Sequence, residues 1–240
     1  MRKMLGYIRK ACQEFDLIED GDRIAVGVSG GKDSLTLLAG LAEMRRFYEK
    51  KYNLSAISLD PRFGGADGDY SPVERLCESL DVPFTLIRSN IAEIVFDIRK
   101  EKNPCSLCAK LRRGALHDAA KAGGCNKIAL GHNNDDVIET FMMNLFKEGR
   151  IGCFAPKSYL SRKDLTLIRP LVFAPEHKVV SCCRRNGFEI IKSPCPADKA
   201  TERQRMKEFL EEKEKEDDGF KQRIFGALRR SGVDGWSIIS

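Results

Sequence analysis

The stretch from Arg23 to Met44 constrains this chain more than any other. Arg23-Ile24-Ala25-Val26-Gly27-Val28 is short and largely apolar, the composition of a buried strand. Ser29-Gly30-Gly31-Lys32-Asp33-Ser34 follows, and Leu35, Leu38, Leu41 and Ala42 then recur at helical spacing behind a capping residue at Asp33 or Ser34. A strand, a glycine turn and a helix therefore come in sequence. Adjacent glycines allow backbone N–H groups to converge on one anion at a helix N-terminus, which predicts a phosphate cradle. The Walker pattern is not met, because three residues rather than four separate Gly27 from Gly31 and Asp33 follows Lys32. The G-x-G-x-x-G dinucleotide fingerprint fails as well. A glycine turn that only joins strand to helix would share this much, so the rest of the chain has to decide.

The same alternation continues. Residues 3–18 read as a lead-in helix ended by Gly21, 54–59 as a strand, and Asp60-Pro61 with Gly64, Gly65 and Gly68 as a loop. Helix 72–80, strand 83–88, helix 106–122, strand 127–130 and helix 134–147 come next. Beyond Gly149 the reading gives a glycine and proline loop, strand 165–168, helix 175–186 and strand 188–191, then two charged helices over 200–230 around Gly219. Alternation at this interval predicts an α/β fold with a doubly wound, mainly parallel, Rossmann-like sheet whose ligands sit at the carboxyl ends of the strands. The expected division is an N-terminal helix over 1–20, a catalytic domain over 21–195 and a helical C-terminal extension over 196–240.

Charge and cysteine content narrow the class. A formal charge of +6 has the sign expected for a polyanion partner such as RNA. Met1 to Phe15 has no uninterrupted apolar core of signal-peptide length, and no segment reads as membrane-spanning. Nine cysteines in such a chain predict reduced thiols and a cytoplasmic location, with some thiols available for a metal.

Two further stretches carry chemistry. Strand 127–130 runs into Gly131-His132-Asn133-Asn134-Asp135-Asp136-Val137-Ile138-Glu139-Thr140. Here Gly131 permits close approach of backbone to a ligand, and the acidic pair can either cap the helix or help hold Mg²⁺ against phosphate. Pro104-Cys105-Ser106-Leu107-Cys108 opens a helix beside Lys110, Arg112 and Arg113, a setting that depresses thiol pKa. Cys195 between two prolines is a third candidate. Three ligands leave an open coordination position where four would close a structural site. The C-x-x-C spacing alone still allows a redox pair, half a zinc site, part of an iron–sulfur cluster or two packed thiols.

Ser-Gly-Gly-x-Asp-Ser at 29–34 resembles the PP-loop of the N-type ATP pyrophosphatases, which cut ATP between its α and β phosphates to adenylate a substrate. Gly-His-x-x-Asp-Asp-x-x-Glu-Thr at 131–140 resembles the second signature of the members that modify tRNA. With Pro-Cys-Ser-x-Cys-x-x-x-Arg-Arg-Gly at 104–114, Ile168-Arg169-Pro170-Leu171, the late Cys195 and Arg203, the chain is similar to the TtcA family of tRNA 2-thiocytidine synthetases from about residue 20 to about residue 210. It departs from the proteobacterial members in lacking a second C-x-x-C around the late ligand. It also lacks the terminal cysteine pairs common in 2-thiouridine synthetases.

The resemblance implies a specific site. ATP would be held by Gly27, Ser29, Gly30, Gly31, Lys32, Asp33 and Ser34, with Leu59, Gly131, His132 and Asp135 around the nucleotide and Mg²⁺. Asp136, Arg112 and Asp33 would act on the activated intermediate. Cys105, Cys108 and Cys195 would hold a [4Fe-4S] cluster with one iron open to sulfur. The implied reaction is adenylation of C2 of a tRNA pyrimidine followed by replacement of its oxygen by sulfur, most directly 2-thiocytidine formation in the anticodon loop. A 2-thiouridine synthetase and a non-catalytic zinc- or cluster-bearing RNA-binding protein stand as alternatives. The implied partners are tRNA, a cysteine desulfurase-derived sulfur donor and a second copy of the chain. Basic residues at Lys110, Arg112, Arg113, Lys199, Arg203, Arg205, Lys207, Lys221, Arg223, Arg229 and Arg230 are expected to face tRNA. Cys12, Cys77 and Cys125 read as buried small hydrophobes, Cys153, Cys182 and Cys183 stay unassigned, and His117 and His177 read as ordinary surface or core side chains.

Overall fold

The computed structural model describes residues 1–100, 104–192, 195 and 202–236. Its sheet is built outward from β1 (Asp22–Gly27), which pairs in parallel with β2 (Tyr52–Asp60) on one side and β4 (Lys127–Ala129) on the other. Beyond these lie β3 (Phe84–Arg88), β6 (Leu165–Ile168) and the edge strand β5 (Lys157–Leu160). The order is β3-β2-β1-β4-β6-β5, parallel throughout except for the β5–β6 pair. The chain leaves β1 for β2 on one side and later returns to β4 on the other, so β1 and β4 bound the switch point. Their carboxyl ends open there into a crevice.

Period-two alternation on β1 explains why the sheet is covered twice. Ile24 and Val26 point into the larger apolar core with α1 (Arg2–Glu14) and α2 (Lys32–Met44), whereas Ala25 points to the opposite face with Ile128 and Ala120 of α4 (Pro104–Ala122). The larger core also takes in α3 (Ser71–Ser79) through Val73 and Cys77, α5 (Asn134–Lys147) through Val137, Ile138 and Met142, and α6 (Glu176–Arg185) through Val179 and Cys182. The charged C-terminal segment forms α7 (Glu202–Glu216) and α8 (Phe220–Ser231), and Met206, Leu210, Phe225 and Leu228 carry both helices into this same core. Trp236 is fully buried, edge-on to Phe15 and Phe225 with centroids 5.7 Å from each, and its Nε1 donates to the Phe154 carbonyl at 3.0 Å. One buried ion pair ties the amino ends of two neighbouring strands, with Lys127 Nζ 2.8 Å from Asp22.

Two expectations meet a different outcome, and one element appears that was not expected. Residues 188–191 join no sheet, and the segment instead packs against the loop that follows β1. There the Ile191 N–H donates to the Gly30 carbonyl at 3.0 Å. Within the stretch read as a glycine and proline loop, Lys157–Leu160 forms the antiparallel edge strand β5, too short and polar to stand out by periodicity. Glu93–Ile98 is a π-helical turn ahead of α4, a geometry for which hydrophobic spacing gives no signal. The proposed boundary at 196 lies outside the described residues.

Candidate active site

The crevice is shaped by two loops treated in opposite ways. After β1, Gly30 takes φ +80°, a left-handed conformation, and Gly31 opens α2 without any side-chain cap. The loop is braced from within: the Ser29 N–H donates to Ser34 Oγ at 3.2 Å, the Gly31 N–H to Ser29 Oγ at 3.3 Å, and Ser34 Oγ to the Gly31 carbonyl at 2.9 Å. First-turn N–H groups of α2 are thereby left to an external anion. After β4, by contrast, α5 is fully capped. Asn133 Oδ1 accepts from the N–H groups of Asp135 and Asp136, and Asp136 Oδ2 accepts from the Asn133 N–H at 2.9 Å.

Side chains lock the loops together. Asn133 Nδ2 donates to Asp33 Oδ1 at 2.9 Å, and Lys32 Nζ stands 2.8 Å from Asp33 and 3.0 Å from Glu176. Burial works against the Lys32 charge, but the Asp33 and Glu176 carboxylates outweigh it and keep the ammonium protonated. A Cβ at Gly131 would lie 3.0 Å from the Asp33 carbonyl carbon and the Ser34 nitrogen, so its missing side chain lets the two loops touch. Asp135 is likewise engaged by protein, accepting from the Glu176 N–H at 2.7 Å and from Lys221 at 3.0 Å. Capping engages Asp136, and docking of α8 engages Asp135.

Beside the uncapped loop lies a cavity of about 330 Å³ lined by Gly27, Ser29, Leu59, Arg112, Leu130 and His132 among others, apolar on most of its wall. Its size and lining suit a purine nucleoside. The His132 ring packs 4.7 Å from Phe154, its Nδ1 is buried without a partner, and burial, with Arg169 and Arg203, pushes its pKa down to about 3. The imidazole is therefore neutral and presents an unpaired polar atom at the site.

Helix α4 carries two of the thiols and also lines this cavity. Cys105 and Cys108 stand in its first two turns, and Ala109, Arg112, Arg113 and Leu116 further along it line the cavity. Cys108 is buried in a small cluster with Leu59, whereas Cys105 is exposed. Burial raises the Cys108 pKa, Arg112 lowers it, and Cys195 and Cys105 raise it again as like charges. Among the described residues no group of three His, Cys, Asp or Glu side chains is close enough to hold a single metal ion. Cys12, Cys77 and Cys125 are buried as expected, and so are Cys153, Cys182 and Cys183.

The expected basic face is largely engaged within the protein. Arg203 reaches Glu139 at 3.1 Å, Thr140 at 3.1 Å and Asp136 at 3.5 Å; Lys207 pairs with Glu176 at 2.7 Å, and Arg229 pairs with Glu14. Arg223 pairs with Asp217, and Arg205 with Glu202. The Arg203 and Lys207 pairs, with Lys221 on Asp135, anchor α7 and α8 beside the active-site loops, a role that charge spacing alone did not reveal. Lys199 lies outside the described residues.

Comparison with known proteins decides the lineage. A family model described as a PP-loop domain matches residues 5–214. The chain is 40% identical over 218 residues to a tRNA-cytidine(32) 2-sulfurtransferase of Pelobacter propionicus, covering 90% of this chain and 80% of that one. The chain belongs to the PP-loop family of TtcA-like enzymes. A relative of the same name from Geobacter metallireducens is 39% identical over 95% of this chain and 89% of its own. Among solved structures, the U34-tRNA thiolase NcsA from Methanococcus maripaludis, with its [4Fe-4S] cluster, superposes with a TM-score of 0.76 at 27% identity, over 94% of this chain and 77% of that one. An NAD+ synthetase from Burkholderia pseudomallei shares the PP-loop fold alone, with a TM-score of 0.50 at 17% identity over 96% of this chain and 87% of that one.

Proposed function

We propose that in this PP-loop enzyme the oxygen on C2 of a tRNA pyrimidine attacks the α-phosphate of ATP with release of pyrophosphate, and that sulfur then displaces AMP from C2, the target being cytidine 32 as in its named relatives. The observation that carries the reading is that one helix, α4, holds Cys105 and Cys108 in its first two turns and lines the nucleotide cavity with Arg112, one turn beyond Cys108. In this reading the uncapped N-terminus of α2 and Lys32 bind the β and γ phosphates, with Mg²⁺ against the same oxygens and Asp33 beside them. Arg112 offsets negative charge that builds on the α-phosphate as the base oxygen attacks. Asp136, held by its cap and by Arg203, faces the same cleft as Asp33 and orients the activated intermediate. Cys105, Cys108 and Cys195 would hold the [4Fe-4S] cluster, which supplies an iron open to sulfur when bound. A cysteine desulfurase-derived donor system supplies that sulfur, and the family likeness supports a homodimer.

Anaerobic purification tests the reading, with an oxygen-labile brown chromophore containing iron and sulfide expected, and stoichiometric zinc favouring an RNA-binding protein instead. Cys105→Ala, Cys108→Ala and Cys195→Ala should each abolish thiolation yet keep ATP binding. Equal loss of both would make the thiols structural. Nucleoside analysis of tRNA from a deletion strain should show the missing base to be 2-thiocytidine rather than 2-thiouridine.

A further inference from the structure

A second cavity, of about 380 Å³, adjoins the nucleotide cavity, and Ser29 and Arg112 line both. Its other walls include Asp60, Phe63, Tyr70 and Lys192. Asp60, at the carboxyl end of β2, is only 3% exposed. Its two oxygens accept from the N–H groups of Arg62 at 2.9 Å and Gly68 at 2.8 Å, and among the described residues no cation lies within ion-pair distance of it. Each oxygen retains a second lone pair. A buried carboxylate without a cation calls for further donors, and the cavity is where they can come from. Tyr70 is fixed beside it by donating its phenol O–H to the Leu59 carbonyl at 3.1 Å, and the Phe63 ring is set edge-on to Phe96 with centroids 5.9 Å apart. Burial and the Asp60 charge raise the Tyr70 pKa while Arg112 lowers it, so carboxylate, phenol and guanidinium share one electrostatic neighbourhood.

We propose that this second cavity receives the target base of the RNA, turned out of its strand, and that Asp60 selects cytosine over uracil by accepting a hydrogen bond from the 4-amino group. The inference rests on the thiolase reading and adds to it the base-recognition pocket. The Watson–Crick edge of cytosine runs from O2 through N3 to the 4-amino group. With O2 at the wall formed by Ser29 and Arg112, next to the nucleotide cavity, the amino group points away from that wall toward Asp60. Phe63 and Tyr70 offer ring surface for stacking, the usual way an extruded base is held, and an unpaired loop base is the least costly to extrude. Lys192 at the rim suits the neighbouring phosphate. Uracil would present its O4 acceptor to the Asp60 oxygens, leaving two acceptors opposed without a proton between them.

The test uses cluster-loaded, full-length enzyme and an anticodon stem-loop RNA carrying cytidine, uridine or 4-deamino pyrimidin-2-one at the target position, with RNA-dependent pyrophosphate release as readout and ATP binding measured separately. Wild-type enzyme should prefer cytidine to uridine by roughly tenfold to a hundredfold, the range for one well-placed polar contact. It should lose at least tenfold on the 4-deamino base, which keeps O2 but has no amine. Asp60→Asn can turn an amide donor toward O4 and should narrow the cytidine-to-uridine ratio at least tenfold. Phe63→Ala should raise KM for RNA more than it lowers kcat. Equal rates on cytidine and the 4-deamino base with wild-type enzyme overturn the proposal without any variant having to fold. Release of no pyrophosphate on any RNA, with ATP bound normally, overturns the thiolase reading and this inference together.

Discussion

Gly30→Ala is the sharpest probe of how the phosphate loop is held. Gly30 sits at φ +80°, and a methyl added there would lie 2.8 Å from Cβ and Cδ1 of Ile191 and 2.9 Å from its Cγ1. The left-handed backbone costs a non-glycine residue roughly 1–2 kcal/mol. Overpacking against Ile191 adds roughly 1–3 kcal/mol. Ile191 cannot retreat freely, because its N–H is bonded to the Gly30 carbonyl at 3.0 Å. The expected total is roughly 2–5 kcal/mol, which for a chain of this size lowers Tm by about 4–20 °C. Thermal melts of Gly30→Ala, Ile191→Ala and the double variant separate the two parts. Shortening Ile191 should return the steric share, about 1–3 kcal/mol, and leave the backbone share in place. Additive Tm losses in the double variant, or a Gly30→Ala protein as stable as wild type, would refute the contact between the loop and the 188–192 segment. ATP affinity should fall in Gly30→Ala and recover only in part in the double variant, since the left-handed turn itself aims the backbone N–H groups.

Other expectations follow from the same geometry. The folded imidazole of His132 titrates near 3, so below the usual histidine pKa of about 6.5 the unfolded chain binds the extra proton and stability drops as pH falls from 6.5 toward 3. His132→Phe should flatten that part of the pH–stability curve in chemical denaturation, and an unchanged slope would count against a buried neutral ring. Burial and Asp136 push Glu139 up to about 7 against the pull of Arg203, so the folded protein holds its proton between about 4.5 and 7 and this group's contribution weakens as pH rises through that window. Arg203→Met should therefore cost more stability at pH 8 than at pH 5, by about 1–2 kcal/mol given the half-exposed guanidinium; a loss equal at both pH values would contradict the pairing. Trp236→Ala removes a fully buried indole and its bond to Phe154, and urea unfolding should show a loss of roughly 3–5 kcal/mol. A loss under about 1 kcal/mol would mean that the C-terminal turn does not dock in the core.

What could be read from the linear chain was local in origin. Strand, glycine turn and helix at 23–44 follow from spacing over a few residues, but the cap expected at Asp33 or Ser34 does not form: Gly31 takes the N-cap position of α2 with no side-chain cap, and Asn133 rather than either aspartate is the N-cap of α5. The doubly wound sheet is a consequence of those local units repeated, because parallel strands joined by helices have few ways to bury both faces. Edge strand β5 and the free-standing 188–191 segment could not be told apart in this way, since a strand exists only when a neighbour supplies the ladder.

Tertiary structure decided which partner each polar group takes. The missing side chain of Gly131 makes room for the Asp33–Ser34 backbone, a contact with no local signal; Arg203, Lys207 and Lys221 looked like an RNA-binding face and are the bolts between the C-terminal helices and the phosphate loops. The cavity behind Arg112, with Asp60 in its wall, is assembled from residues 29 to 192 and has no motif of its own. The physical reason is range. Backbone conformation and capping are settled within a turn or two of chain, whereas the partner of a charge and the shape of a cavity depend on side chains brought together only when the core closes.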